Sequence, residues 1–253
     1  MPPFIIKMKA SILITTHNHE RWIADAIDGA LMQVADFDFE IVVGEDASTD
    51  GTLAICQQYQ RNHPDKIRLI TSSENIGGMK NWKRTLDACE GEYIALCDGD
   101  DFWTDQNKLA DQVAFLEANP DFACSVTQAE IEYHGHLDKR FESNYARTQE
   151  TWEGEDVINT PSFCATASMV FRKADIWPLP AWFDDLAWGD SAIRGILAKQ
   201  GKFHYLQRKA VTYRCNDWGA LSKLRKKGKA YMADAAETIK HYITNHEPFT
   251  PNP

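Results

Sequence analysis

The sequence predicts an α/β fold on a mostly parallel central sheet flanked by helices, and three observations predict it. Strand and helix patterns alternate from Ala10 onward, the strands read as unbroken apolar runs, and each strand ends in a polar loop. Apolar runs of that kind belong to strands covered on both faces. ASILIT opens the series with β-branched residues and Leu. After the loop TTHNHE, the stretch RWIADAIDGALMQ brings Trp22, Ile23, Ala26, Ile27, Ala30 and Leu31 round at helical spacing. FEIVVGED is a second strand ending in acids, and STDGT then opens a helix with Leu53, Cys56 and Tyr59 on one face. KIRLIT is the third strand. ENIGGMKNWKRTLDAC follows it as a glycine-containing loop and a helix carrying Trp82, Leu86 and Cys89. EYIALCDGDD is the fourth strand with its acidic exit, Leu109, Val113 and Leu116 mark the next helix, and DFACSV is the fifth strand.

Beyond Glu130 the periodicity lapses, and HGHLDKRFESNYARTQETWEGED reads as an excursion or a surface hairpin. SFCATASMVFR reads as a strand and SAIRGILAKQG as a helix with Ile193, Ile196 and Leu197 inward. FHYL and KAVTYR read as two short strands. From Ala220 to about His246, Leu224, Tyr231, Ala235, Ile239 and Tyr242 predict a long C-terminal helix whose first half, SKLRKKGK, is basic.

The 253 residues suffice for one large domain with an appendage, and a 43% hydrophobic content supplies a core. A formal charge of −10 argues against a non-specific nucleic-acid binder, which needs a basic footprint. No apolar run approaches the ~20 residues that span a bilayer. The start MPPFIIKMKAS lacks the h-region and cleavage site of a signal peptide, so a cytoplasmic protein is expected. Six cysteines (Cys56, Cys89, Cys97, Cys124, Cys164, Cys215) form no C-x-x-C and read as buried thiols in a reducing compartment.

The chemistry gathers in the loops after the strands, where ligands of open α/β sheets collect. IALCDGDDFW places Asp98, Asp100 and Asp101 at one strand end, and carboxylates so close repel unless a cation compensates them. The D-x-D of Asp98 and Asp100 suits Mg²⁺ or Mn²⁺, while an acidic turn satisfied by caps is the plainer alternative. A calcium loop is excluded, since Phe102 and Trp103 stand where oxygens and a turning Gly are needed. Glu45 and Asp46 leave the second strand, where an Asp can accept from a base N–H while Ser48 or Asp50 caps the helix. Asn75, Gly77 and Gly78 allow backbone to approach a phosphate or sugar, with Lys80 and Arg84 nearby to meet its charge. His17 and His19 form an H-x-H that can chelate metal in a hydrolase, against simple loop polarity. Asp184, Asp185 and Asp190 stand before or at the start of a helix, and Asp190 reads as a cap or a general base.

Taken in order and spacing, these loops resemble the family 2 inverting nucleotide-sugar glycosyltransferases, which carry the GT-A fold with a Rossmann-like sheet. SILITTHNHERWIADAIDGALMQ, EIVVGEDASTDGT, NIGG and IALCDGDDFW carry the resemblance across Lys9 to Val126, and Ser162 to Ser222 follows more loosely. It implies a GT-A domain over 1–219, with a nucleotide-sugar-binding half at 9–126 and an acceptor-binding half at 127–219, then a helical tail at 220–253. Thr15, Asn18 and Glu20 are implied to line the nucleotide pocket, Asp46 to read the base and Asp98 to contact the ribose. Glu45, Asn75, Gly77, Lys80 and Gly99 complete the donor-binding set. Asp100 is implied to ligate the Mn²⁺ or Mg²⁺ that bridges the diphosphate. Asp190 falls where the family carries a Glu-Asp base motif, with Gly189 in place of the Glu. VTYRCNDWGALS resembles the family's Tyr-Arg-x-His segment, with Asn216 in the His position.

The implied reaction moves a sugar, with inversion, from a nucleotide-diphosphate donor such as a UDP-sugar to a hydroxyl of a saccharide or lipid-linked saccharide. Polysaccharide or glycoconjugate biosynthesis of the cell envelope is the implied setting. Lys223, Arg225, Lys226, Lys227 and Lys229 add an expected peripheral contact with the inner face of a membrane. The alternatives are a metal-dependent hydrolase using His17 and His19, and a nucleotide-sugar-binding protein without turnover.

Overall fold

The computed structural model describes residues 8–133, 136–137, 147–160, 163–186 and 189–215. Its first half follows the predicted alternation: β1 (Ala10–Thr16), α1 (Ile23–Leu31), β2 (Phe39–Glu45), α2 (Thr52–Asn62), β3 (Ile67–Thr71), α3 (Gly78–Ala88) and β4 (Tyr93–Asp98). These four strands pair in parallel in the order β3-β2-β1-β4. Ile12, Ile14, Ile41 and Val43 enter one buried cluster and Leu13, Val42 and Leu96 the other, on opposite faces of the sheet. Burial on both faces is why the strands carry no polar alternation. From β1 the chain winds outward to β3 and then returns to β4 on the other side. The crevice of a doubly wound sheet therefore opens at the exits of β1 and β4.

The second half consists of β5 (Phe102–Trp103), α4 (Lys108–Ala118), β6 (Phe122–Tyr133), β7 (His136–Leu137), β8 (Thr151–Trp152), α5 (Gly154–Asn159), β9 (Val170–Arg172), α6 (Asp190–Gln200) and β10 (Lys202–Cys215). β9 lies antiparallel between β4 and β6, whereas β6 and β10 run parallel to each other. The sheet is thus mixed in this half, in the order β3-β2-β1-β4-β9-β6-β10-β5, with β7 on β6 and β8 on β10. Buried Gln112 of α4 donates to the Ser125 carbonyl of β6 (2.7 Å) and to the Ser168 carbonyl beside β9 (3.0 Å), docking the helix on both. One turn earlier, Lys108 is fully buried with its Nζ 3.9 Å from the Trp103 ring centroid.

Several elements depart from the sequence expectation. DFACSV continues to Tyr133, because its partner β10 runs alongside it over that whole length. FHYL and KAVTYR form one strand, and register shifts around Leu206, Lys209 and Val211 absorb the polar interruption between them. SFCATASMVFR is a strand only over Val170–Arg172, after a 3-10 turn at Thr166–Ser168. The excursion contains β8 and ends in the first turn of α5. Five cysteines are buried and Cys215 is half-buried, and none of the six forms a disulfide, as expected of thiols. Among the described residues no helix is long and apolar enough to cross a membrane. The expected helix over 220–246, its basic stretch, Asn216 and the boundary at 219/220 lie outside the described residues.

Candidate active site

The exits of β1, β2 and β4 are stitched together by short contacts. Gly99 N–H donates to the Thr15 carbonyl (2.9 Å), and Asp46 N–H donates to the Thr16 carbonyl (3.1 Å). Thr15 Oγ1 stands 3.5 Å from Asp98 Oδ1. Gly99 is packed so tightly that a Cβ there would lie 2.8 Å from Thr16 Cβ and from His19 Nδ1. A side chain at that position would push the D-x-D turn away from β1.

Asp46 is the anchor of the loop before α3. It is 2% exposed, and its two oxygens accept the N–H groups of Ile76 and Gly77, each at 2.9 Å. Gly77 takes φ +92°, a conformation suited to glycine, and its N–H also meets Asn75 Oδ1 (2.9 Å). His17 donates from Nδ1 to the Asp46 carbonyl (2.8 Å), and Asn75 Nδ2 lies 3.0 Å from His17 Nε2. The sequence reading missed this use of His17, which joins the exits of β1 and β2 to the loop before α3. Asn18, at φ 58°, accepts from Thr49 N–H (2.8 Å), and Glu20 accepts from Gly51 N–H (2.8 Å). Glu45 is buried and accepts from Ser48 N–H (2.6 Å). These residues, expected to bind a donor, therefore gather at one end of the sheet, Glu45 and Asp46 buried beneath it, each already holding a loop in place. Lys80 is exposed on the first turn of α3. Arg84, expected to meet phosphate charge, is instead committed to the Glu45 carbonyl (2.6 Å) and Asn81 (2.9 Å).

Across the crevice, Asp190 begins α6 behind the N-cap Gly189. Its Oδ1 accepts from Ser191 N–H (2.7 Å), so the carboxylate is not the helix N-cap that the sequence allowed. Thr166 Oγ1 lies 3.5 Å from Asp190 Oδ2. A Cβ at Gly189 would lie 3.0 Å from Met79 Cε and 3.1 Å from Phe183 Cζ, so side chains from α3 and from the 3-10 turn at Ala181–Asp185 fill the space beside this residue. Asp184 and Asp185 belong to that same turn.

The electrostatics bring the carboxylates into one field. Desolvation, then repulsion from Asp100 and from Asp190, push Asp98 up to about 7. Burial, then Asp100 and Asp98, push Asp101 well above the usual carboxylate range. Asp101 Oδ2 is also buried without a hydrogen-bond partner among the described residues. Such an excess of negative charge is what a divalent cation relieves. Among the described residues no group of three or more His, Cys, Asp or Glu forms a protein cage for a metal. Asp98 and Asp100 offer one or two carboxylates, the donor set of Mg²⁺ or Mn²⁺ that complete their shell with substrate phosphates and water. The H-x-H alternative finds no third ligand among the described residues, and His17 Nδ1 is taken by a carbonyl.

The family model described as Glycosyl transferase family 2 matches residues 11–176. The uncharacterized protein Rv1520 of Mycobacterium tuberculosis is 35% identical over 167 residues, covering 64% of this chain and 46% of that protein. The chain thus spans about half the length of this relative. The crystal structure of Staphylococcus aureus TarS with UDP-GlcNAc aligns with a TM-score of 0.65 at 20% identity, over 85% of this chain and 61% of that one. A mannosyltransferase from Pyrobaculum calidifontis, solved with GDP-Man and Mn²⁺, aligns at 0.62 and 17% identity over 94% of this chain and 70% of its own. At such identities the two structures speak for the GT-A fold.

Proposed function

The chain belongs to glycosyltransferase family 2, and from that premise we propose that it transfers a sugar, with inversion, from a nucleotide-diphosphate donor to an acceptor hydroxyl. A UDP-sugar is the donor we favour, on the likeness to TarS bound to UDP-GlcNAc, and a saccharide, lipid-linked saccharides included, is the acceptor class. The observation that carries the proposal is the D-x-D of Asp98 and Asp100 at the β1/β4 switch point, with Asp190 close enough to add to the field at Asp98.

Each residue then has a task. Thr15, Asn18, Glu20, Glu45 and Asp46 form the nucleotide rim. Asp46 still has lone pairs to share with a base N–H after accepting Ile76 and Gly77. Asn75, Gly77 and Lys80 face the donor from the α3 side, Asp98 takes the ribose, and Gly99 keeps the turn tight against β1. Asp100 holds the Mn²⁺ or Mg²⁺, whose chemistry is to neutralise charge on the leaving diphosphate. Asp190 takes the proton of the acceptor hydroxyl, and the oxygen attacks the anomeric carbon from the face opposite the diphosphate.

Asp100→Ala tests the assignment, since an exit-loop carboxylate contributes little to the core. Calorimetry with UDP is expected to show the Mn²⁺-dependent part of the affinity lost in a chain that melts normally. Unchanged UDP affinity in Mn²⁺ would remove Asp100 from the donor site.

A further inference from the structure

Arg214, near the end of β10, reaches the D-x-D-D turn from 113 residues away in sequence. Its backbone N–H donates to Asp101 Oδ1 at 2.8 Å. Its guanidinium donates to Asp25 Oδ2 of α1 (2.6 Å), to Glu132 Oε1 of β6 (3.2 Å) and to the Asp100 carbonyl (3.4 Å). The same group lies 4.3 Å from the Phe102 ring centroid, and the side chain is only 8% exposed. One residue thus grips the main chain of Asp100, the carboxylate of Asp101 and the ring of Phe102, and braces them against α1 and β6.

The bond to Asp101 comes from the backbone, but only a guanidinium can make the other three, because its planar fork presents five donors to acceptors lying in different directions. Its charge matters as much as its shape. Asp98, Asp100 and Asp101 leave one strand together, with Asp25 and Glu132 joined to the same guanidinium. Like charges so placed drive one another out of position unless a cation sits among them. A mobile divalent ion cannot hold the turn before it binds.

On the reading above, in which Asp100 holds the ion, we infer that Arg214 is a positioning residue for the metal-linked donor site. It holds the Asp100 carbonyl and the Asp101 carboxylate and places a resident positive charge beside the turn. Three of its five N–H donors are committed to the protein's own oxygens and its side chain is only 8% exposed, so its role is assigned to the turn and not to the nucleotide or the diphosphate.

The test uses the full chain, Mn²⁺ and UDP as probes, and calorimetry in Mn²⁺ and in chelator beside thermal melting. Arg214→Gln is expected to lower the Mn²⁺-dependent UDP affinity by ~10-fold or more, the scale of a lost charge-assisted hydrogen bond or two. Affinity in chelator stays at the wild-type value. Arg214→Lys restores part of the loss, as a point charge without the fork. Asp25→Asn leaves the guanidinium in place but weakens one arm, and moves the same quantity in the same direction by less. That variant decides the matter if Arg214→Gln does not fold. An equal loss in chelator would make Arg214 a nucleotide contact or a general fold residue and overturn the inference. So would a Mn²⁺-dependent affinity that neither substitution changes. If the wild-type chain itself shows no Mn²⁺-dependent UDP binding, the donor reading falls and takes this inference with it. A wild type that binds beside unaffected variants sinks the inference alone.

Discussion

At the scale of single residues, Asp190 makes the sharpest demand. It sits at the first helical position of α6, accepts one N–H from Ser191 and acts electrostatically on Asp98 across the crevice. Asn retains an acceptor oxygen for Ser191 but cannot take a proton. Asp190→Asn is therefore expected to bind UDP normally and to transfer sugar at least ~100-fold more slowly, read by product formation at saturating donor. Near-normal transfer would move the base role to another carboxylate, with Asp184 and Asp185 the next to test. Lys108 gives a prediction about stability. Burial depresses it to about 7, and its Nζ makes no hydrogen bond among the described residues. Its ordinary value of 10.5 returns on unfolding. Between those two values the unfolded chain binds more protons than the folded one, so stability rises with pH across that window. Below about 7 both states are charged and the burial cost stands in full. Lys108→Met is expected to be the more stable protein at pH 6 by a few kcal/mol, with the gap closing towards pH 10, as denaturant titrations at the two pH values would show. A gap that does not change with pH would mean that the amine is not buried in its charged form. Of the residues at the site, Asp98, Asp100 and Asp46 were legible because acids clustered at strand ends stand out locally. His17 was visible but read as simple loop polarity or as a chelator, since nothing in H-x-H tells that the Asp46 carbonyl just after β2 takes Nδ1. Arg214 was not legible as a partner of Asp101, because a backbone hydrogen bond across 113 residues leaves no local pattern.

At the scale of elements, the parallel half was read almost strand for strand, for a physical reason. Strands buried on both faces must be apolar throughout, and crossover helices must show one apolar face, so each βα unit announces itself. The other half obeys different rules. β5 and β9, two and three residues long, exist only because β10 and β4 lend them hydrogen-bonding edges. α5 is too short to show a period. β10 looked like two strands because Gln207, Arg208 and Lys209 fall at its register shifts, where the bent backbone carries polar residues to the surface. Helix α4 holds this half together through a polar side chain, which hydrophobic patterning cannot flag. Gln112→Met keeps the volume but strips the Ser125 and Ser168 carbonyls of their donor. The expected loss is about 1–3 kcal/mol in urea unfolding, with UDP affinity unaffected in the protein that remains folded. A neutral result would mean that these carbonyls find another donor.

At the scale of the whole molecule, two kinds of construction share one sheet, and the family match at 11–176 ends before α6 and β10 begin. Asp190 and Arg214 both lie beyond it, so a crevice written largely in the first half is completed by residues from the second. Whether the halves hold together as one body is written in the sulfur atoms. Desolvation pushes Cys56 and Cys89 up to about 12 and Cys97 and Cys124 well above the ordinary thiol range, while Cys164 rises to about 11. At pH 8 none of the five presents a thiolate, so an alkylating reagent reaches them only when the surrounding structure opens. Cys215 is half-buried beside Arg214 and is expected to react in the folded protein. A time course by intact mass is expected to show one label first and then five arriving together, at the rate of global opening. Cys56 and Cys89 report from the parallel half and Cys124 and Cys164 from the other, with Cys97 at the seam between them. Stepwise uptake of the later labels would show the two halves coming apart at different times, and would make the donor crevice a joint between two separately breathing units.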